Sequence, residues 1–174
     1  MGLMRERDAA VALVLSRGAG GDEMLVLRRA TVEGDPWSGH IALPGGRFEA
    51  TDASLEQTAR RETQEETGID LATSVCVAQL GDVTPQSRRA PPVCVTPFVF
   101  RYDGPRTIRL SEEIAEAWWV PVAELARSDA WRTASVVVAE GATIEARGFD
   151  VAGYTLWGLT ERILAMFLAT VVSA

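Results

Sequence analysis

The chain has 174 residues, 47% of them hydrophobic and 24% charged, and 24 acidic against 17 basic side chains leave a net charge of −7. That profile fits one globular domain over residues 1–174, large enough to fold without disulfides, and an acidic surface is a poor match for the phosphate backbone of nucleic acid. All 17 basic residues are arginine, because lysine and asparagine are both absent, which excludes a P-loop lysine and a Schiff-base lysine. The single histidine, His40, excludes a zinc site built on several imidazoles and, with no partner beside it in sequence, reads as structural. Lysine and asparagine codons are A/T-rich, so their joint absence points to a GC-rich bacterial genome. Cys76 and Cys94 lie far apart in apolar runs and read as buried thiols of a reducing cytoplasm. Met1–Asp8 has no signal-peptide core, and the apolar run Ile163–Val172 is too short to span a bilayer. A cytoplasmic protein without a membrane partner is expected.

Ala9–Leu15 and Met24–Leu27 flank the glycine-rich segment Gly18–Asp22 and predict a strand hairpin. A polar stretch, Arg28–Gly39, leads into Ile41–Leu43 and then Pro44-Gly45-Gly46, a chain reversal. Ser54–Thr67 predicts a helix, opened by a capping box of Ser54 and Gln57 and closed by Gly68 in the left-handed conformation. Strands are expected at Val75–Leu80, Val93–Tyr102, Trp118–Val120 and Thr143–Phe149. Trp118 and Trp119 alternate across theirs, which makes one of them core, as Phe98 and Trp157 are expected to be. The last element predicted is a helix from about Leu156 to Val172, with Leu156, Leu159, Ile163, Phe167 and Val171 on one face. Strands and helices mix without βαβ alternation. The fold class is therefore α/β (α+β), a mixed sheet with helices packed on it.

Within the predicted helix, Glu62, Glu65 and Glu66 are i, i+3 and i+4 neighbours and share one face. Like charges at these spacings each cost a few tenths of a kcal/mol. Glu65 and Glu66 also stand in the last turn, where the helix dipole disfavours anions, and Arg61 lies N-terminal to Glu65, the weaker orientation for an ion pair. A helix selected for stability alone would not carry this set. A hard divalent cation, Mg²⁺ or Mn²⁺, removes the conflict, since clustered oxygens are its natural ligands. The paired glycines Gly45 and Gly46 upstream let the backbone approach a ligand or ion closely. Arg28 and Arg29 end the second strand and are either surface charges or groups that could hold a phosphate through the guanidinium fork; Arg88-Arg89 is a second such pair, or part of a solvated loop.

Residues Gly46–Ile69 (GRFEATDASLEQTARRETQEETGI) resemble a Nudix box, Gly-x5-Glu-x7-Arg-Glu-U-x-Glu-Glu-x-Gly-U with U apolar. The second half matches from Arg61 to Ile69, with Thr63 at the first apolar position. In the first half Asp52 holds the early Glu position and one extra residue precedes Arg61. Both departures are similar to the coenzyme A diphosphatase branch. So are Val95-Thr96-Pro97, the segment Glu116–Pro121, Leu156–Thr160 and Arg162-Ile163-Leu164. Trp37 falls near the place where that branch has a histidine. The resemblance implies a Nudix-like α/β/α sandwich and metal-dependent hydrolysis of the diphosphate linkage in a small nucleoside diphosphate derivative, coenzyme A or its thioesters first. ADP-ribose, dinucleotides or sugar nucleotides are the alternative. It implies Mg²⁺ or Mn²⁺ held by Glu62, Glu65, Glu66 and the Gly45 carbonyl, with Arg61 aligning the carboxylates and Gly46 in the substrate-binding loop. The catalytic set is then Glu62, Glu65, Arg61 and Glu113. The general base is Glu62 or a carboxylate of the distant Glu112-Glu113 pair. A nucleotide-binding module without catalysis and an isoprenoid diphosphate isomerase are the competing classes. The intact Glu triad opposes the first, and the single histidine opposes the second. Oligomeric state is left open, a homodimer included.

Overall fold

The computed structural model describes residues 8–35, 37–86, 93–138 and 141–172. Strand β1 (Asp8–Gly18) and β2 (Gly21–Arg29) form the expected hairpin, with Gly18 opposite Gly21 across a two-residue turn. They pair only from Leu15 to Gly18 on β1 and then splay apart. The segment carrying Pro44-Gly45-Gly46 fills the gap: β3 (Ile41–Ala42) pairs with β2, and β4 (Gly45–Arg47) pairs with β1. The Ala12 amide donates to the Pro44 carbonyl between them. On the far side of β1 lies β6 (Cys94–Tyr102), parallel to it from Asp8↔Cys94 to Ser16↔Tyr102, followed by β5 (Val75–Gln79) at the edge. The outer side of β2 takes β7 (Ile114–Pro121), giving a seven-stranded mixed sheet.

Both faces of this sheet are covered, so β1 reads as an unbroken apolar run rather than an alternating one. On one face Ala10, Ala12 and Val14 pack with Leu25, Leu27 and Phe100 against Ala59 of helix α1 (Leu55–Thr67) and Ile69 and Leu71 beyond it. On the other, Leu13, Leu15, Met24 and Val26 pack against Ile163, Leu164 and Phe167 of α3 (Gly158–Val172). That second layer also holds a three-stranded antiparallel sheet, ordered β10 (Tyr154–Trp157), β9 (Thr143–Val151) and β8 (Trp131–Val137), which contributes Trp131, Phe149 and Leu156. Short helix α2 (Val122–Leu125) leads from β7 toward it.

Helix α1 begins and ends as its sequence dictates. The Ser54 hydroxyl accepts from the Gln57 amide, and Gly68, at φ 72°, donates its amide to the Gln64 carbonyl. The C-terminal region differs from expectation. Leu156 is buried as foreseen, but on a strand; Ala152 and Gly153 both take positive φ and form a two-residue turn that folds Tyr154–Trp157 back on β9. Helix α3 therefore starts at Gly158, and the side chain of Val171 lies outside the described set. Trp118 and Trp119 do face opposite cores, but each is only partly buried, and so is Trp157. Cys76 and Cys94 are free thiols and half-buried rather than buried.

Candidate functional site

Arg61 is the hub of the acidic face of α1. Its guanidinium donates to both carboxylate oxygens of Asp52 at 2.9 Å, to Glu62 Oε1 at 2.9 Å, to Glu65 Oε2 at 3.1 Å and to the Arg47 carbonyl at 3.1 Å. Asp52 is buried, and the same carboxylate accepts from the Glu49 amide and from the Thr58 hydroxyl at 2.8 Å. The Arg61 hydrogen bonds hold its pKa down at about 2. Asp52 thereby fixes the guanidinium, and the guanidinium fixes Glu62 and Glu65. Thr63, at a position where the box pattern is apolar, is fully buried and donates to the Ala59 carbonyl at 2.7 Å, so its hydroxyl is satisfied inside the helix.

The other half of the site comes from the gap between β1 and β2. Glu66 is buried, and its Oε2 accepts from the Gly45 amide at 3.0 Å. A Cβ on Gly45 would stand 2.3 Å from the Ala10 carbonyl oxygen. A Cβ on Gly46 would stand 2.3 to 2.8 Å from the carboxylate of Glu62, which packs directly on this glycine. Burial pushes the Glu66 carboxyl up to about 8 and raises Glu62 as well, while the charge of Glu113 pushes both further up. The chain before Glu113 is tied to the end of α1: the Arg109 amide donates to the Thr67 carbonyl at 2.8 Å, and the Ser111 amide donates to the Glu66 carbonyl at 3.0 Å. Glu112 and Glu113 are exposed.

These residues fit a hard divalent cation in donor chemistry. The carboxylates of Glu62, Glu65 and Glu66 and the carbonyl of Gly45 are all oxygen ligands, and burial raises Glu62 and Glu66 in spite of the charges of Arg61 and Arg29 beside them. Among the described residues no three such groups already converge on one point. Two of the three carboxylates are turned onto Arg61, and the third onto the Gly45 amide.

Arg28 and Arg29 part company. Arg29 lies on the α1 side, where its charge acts on Glu66; it is paired with Asp35 at 3.0 Å, and its Nε is buried without a hydrogen-bond partner. Arg28 pairs with Glu116 at 2.6 Å, and its guanidinium lies 4.4 Å from the centre of the Tyr154 ring on β10. Arg88 and Arg89 lie outside the described residues. The Asp52 anchor and the Asp35 partner of Arg29 were not singled out as site residues from sequence. The only trace of the first is Asp52 at the box's early Glu position, and no motif marks the second.

A NUDIX domain model matches residues 6–140. The chain belongs to the Nudix family. A Schizosaccharomyces pombe protein is 40% identical over 107 residues, 59% of this chain and 32% of that protein. NudL of Enterobacter, described as a Nudix hydrolase, is 27% identical over 171 residues, 93% of this chain and 81% of its own length. Nudix hydrolase 15 of Arabidopsis thaliana is matched over 23% of its length, so the chain spans well under two thirds of several of these relatives. Among solved structures, a Caenorhabditis elegans Ap4A hydrolase superposes with a TM-score of 0.63 at 18% identity, covering 96% of this chain and 98% of that one. The NUDIX domain of Shewanella oneidensis NrtR, complexed with ADP ribose, gives 0.55 at 21% identity over 71% of this chain and 77% of that one. The Nudix fold is therefore common to all three.

Among the described residues no helix is long and apolar enough to cross a membrane.

Proposed function

We propose that the chain is a metal-dependent diphosphatase, cleaving the diphosphate linkage of a nucleoside diphosphate derivative, with coenzyme A or a thioester of it as substrate. One observation carries the reading. Three carboxylates share the last turns of α1, and the backbone facing them is reduced to glycine where Glu62 packs. Glu62, Glu65, Glu66 and the Gly45 carbonyl would hold Mg²⁺ or Mn²⁺. When bound, the metal neutralises the diphosphate and lowers the pKa of water.

The chain's own residues supply position and proton transfer. Arg61, itself locked by Asp52, keeps Glu62 and Glu65 aligned on the open side of the helix. Gly46 leaves room for Glu62 beside the backbone, and Arg29, with an unpartnered Nε next to Glu66, is available to substrate phosphate. Glu62 accepts the proton of the attacking water in the first version of the mechanism, and Glu113 in the second. Support for coenzyme A comes from the segments around Val95–Pro97, Glu116–Pro121 and Leu156–Leu164, outside the box. The nematode protein is named an Ap4A hydrolase and the Shewanella domain is complexed with ADP ribose, so a dinucleotide or ADP-ribose stands as the alternative.

Product masses decide between them. The purified chain with Mg²⁺ or Mn²⁺ is incubated with coenzyme A, acetyl-coenzyme A, ADP-ribose, diadenosine tetraphosphate and UDP-glucose in ¹⁸O-labelled water. Release of 3′,5′-ADP and 4′-phosphopantetheine, with label in one product only, is expected. Cleavage of ADP-ribose or a dinucleotide without turnover of coenzyme A transfers the activity to the alternative. Full rates in excess EDTA, or no cleavage of any of the five, overturn the proposal.

A further inference from the structure

On β2, Leu25 and Leu27 point into the α1 layer and Met24 and Val26 into the opposite one, so strand alternation puts Arg29 on the α1 side. Two observations place it at the acidic cluster. Its charge acts on the Glu66 carboxyl, and the next amide along, that of Ala30, donates to the Glu113 carbonyl at 2.8 Å. The guanidinium is anchored by one carboxylate. Its Nη2 donates to Asp35 Oδ2 at 3.0 Å, while the buried Nε has no partner. The Arg29 side chain is 31% exposed and that of Asp35 18%, so Arg29 is the member of the pair that an incoming anion reaches.

Asp35 is itself held by the loop that precedes the box. Its Oδ1 accepts from the Trp37 amide at 3.0 Å, an Asx turn, and its carbonyl accepts from the Ser38 amide at 3.1 Å. The Ser38 hydroxyl accepts from the Val32 amide at 2.7 Å, and the loop closes on its own start where the Arg29 amide donates to the His40 carbonyl at 3.0 Å. Burial opposes the Asp35 charge, but the Trp37 amide and Arg29 outweigh it and keep the carboxyl below its ordinary range. The two oxygens thus have separate tasks: Oδ1 folds the loop, and Oδ2 fixes the guanidinium. We propose that Asp35 is a positioning residue for phosphate binding, which holds the Arg29 guanidinium at the edge of the α1 cluster, open to the substrate's diphosphate, and keeps it from collapsing onto Glu66. A guanidinium presents its N–H donors in a rigid fork, so a bond to Asp35 leaves others free for phosphate. Without that bond, a long flexible side chain must be ordered anew at each binding event, against the competing pull of Glu66. The inference rests on the diphosphatase reading for its substrate, but binding tests it separately from cleavage.

Asp35→Asn separates the two tasks. Its amide oxygen still accepts from the Trp37 amide, while its NH₂ group meets the guanidinium donor to donor. Inorganic pyrophosphate is titrated in the presence of Mg²⁺ into wild type, Arg29→Ala, Asp35→Asn and the double variant. Arg29→Ala should weaken binding by about tenfold or more, the scale of one charge-assisted hydrogen bond. Asp35→Asn should lose most of the same factor, yet change affinity by less than about twofold once Arg29 is already alanine. Asp35→Ser, whose hydroxyl also suits the turn, takes its place if Asp35→Asn does not fold. On whichever diphosphate is cleaved, the loss should fall mainly on KM, whereas a loosened fold would lower the active fraction and with it kcat. Wild-type affinity in the folded Asp35 variants, an equal loss with and without Arg29, or no pyrophosphate binding by wild type overturns the proposal even where diphosphates are cleaved. The non-additive cycle upholds it even where none is.

Discussion

Asp52 and Arg61 show how a single carboxylate organises several others. The Asp52 carboxyl, held at about 2 by Arg61, is depressed from an ordinary 3.8, so it stabilises the fold above the unfolded value and loses that contribution as pH falls toward 2. The shift corresponds to about 2 kcal/mol. Urea unfolding of wild type and Asp52→Asn should therefore differ by about that amount at pH 6 and converge between pH 4 and pH 2. A gap that persists at pH 2 would mean that Asp52 acts through packing. At the catalytic residues, Glu62 sits against Gly46 and needs no movement to face the open side of α1, whereas Glu113 is exposed and tied to the helix end through its own loop. In single-turnover reactions at saturating metal, Glu62→Gln should slow the chemical step more than Glu113→Gln. The reverse order assigns the base to the loop. The three glutamates were legible in sequence because helical periodicity places them on one face, and Arg61 through the resemblance to the box. Asp35 was not, because an ion pair formed in the irregular segment after β2 follows no helical or strand period.

Element by element, legibility followed local chemistry. Helix α1 appears between its own cap residues, and the β1–β2 hairpin around its glycines, since both are set by contacts within a few residues. The wedge of β3 and β4 between splayed strands was invisible, because two- and three-residue strands carry no periodicity and are defined by β1 and β2. The β9–β10 turn at Ala152-Gly153 was missed because Leu156 fits a helical face as well as it fits a strand. The wedge separates Gly45 and Gly46 by consequence. Gly45→Ala drives a methyl into the Ala10 carbonyl and Val11, which only a shift of β1 can relieve, and overpacking of this kind costs about 1–3 kcal/mol. Gly46→Ala meets only the carboxylate of Glu62, the movable end of a side chain. Thermal melts should show a clear loss for Gly45→Ala and nearly none for Gly46→Ala. The rate constant should nevertheless fall by about 10²-fold in Gly46→Ala, the usual scale for a displaced catalytic group. Wild-type activity in Gly46→Ala would show that the position of Glu62 is immaterial.

Across the whole molecule, the two cores divide the labour between holding the sheet and holding charge. The layer away from α1 buries Trp131, Phe149, Ile163 and Phe167 and, among the described residues, holds none of the proposed metal ligands, so its packing should be indifferent to a cation bound at α1. The α1 layer buries or half-buries two carboxylates with raised pKa, a cost that a bound cation offsets. A ligand that binds only the folded state adds RT ln(1 + [L]/Kd), about 2.7 kcal/mol at a hundred times Kd. For a chain of this length each kcal/mol moves the melting temperature by about 2–4 °C. Mg²⁺ or Mn²⁺ at that excess should therefore raise the wild-type midpoint by about 5–10 °C, and EDTA should reverse the rise. Glu65→Gln and Glu66→Gln should melt no lower than wild type without metal, since the first removes like-charge repulsion and the second replaces a carboxyl whose ionisation burial already opposes, its glutamine oxygen still accepting from the Gly45 amide. Both should lose most of the metal-induced rise, together with several orders of magnitude in kcat. A large loss of midpoint in the metal-free variants would instead make the carboxylate cluster a structural element of α1, and an undiminished rise in both would move the metal away from it.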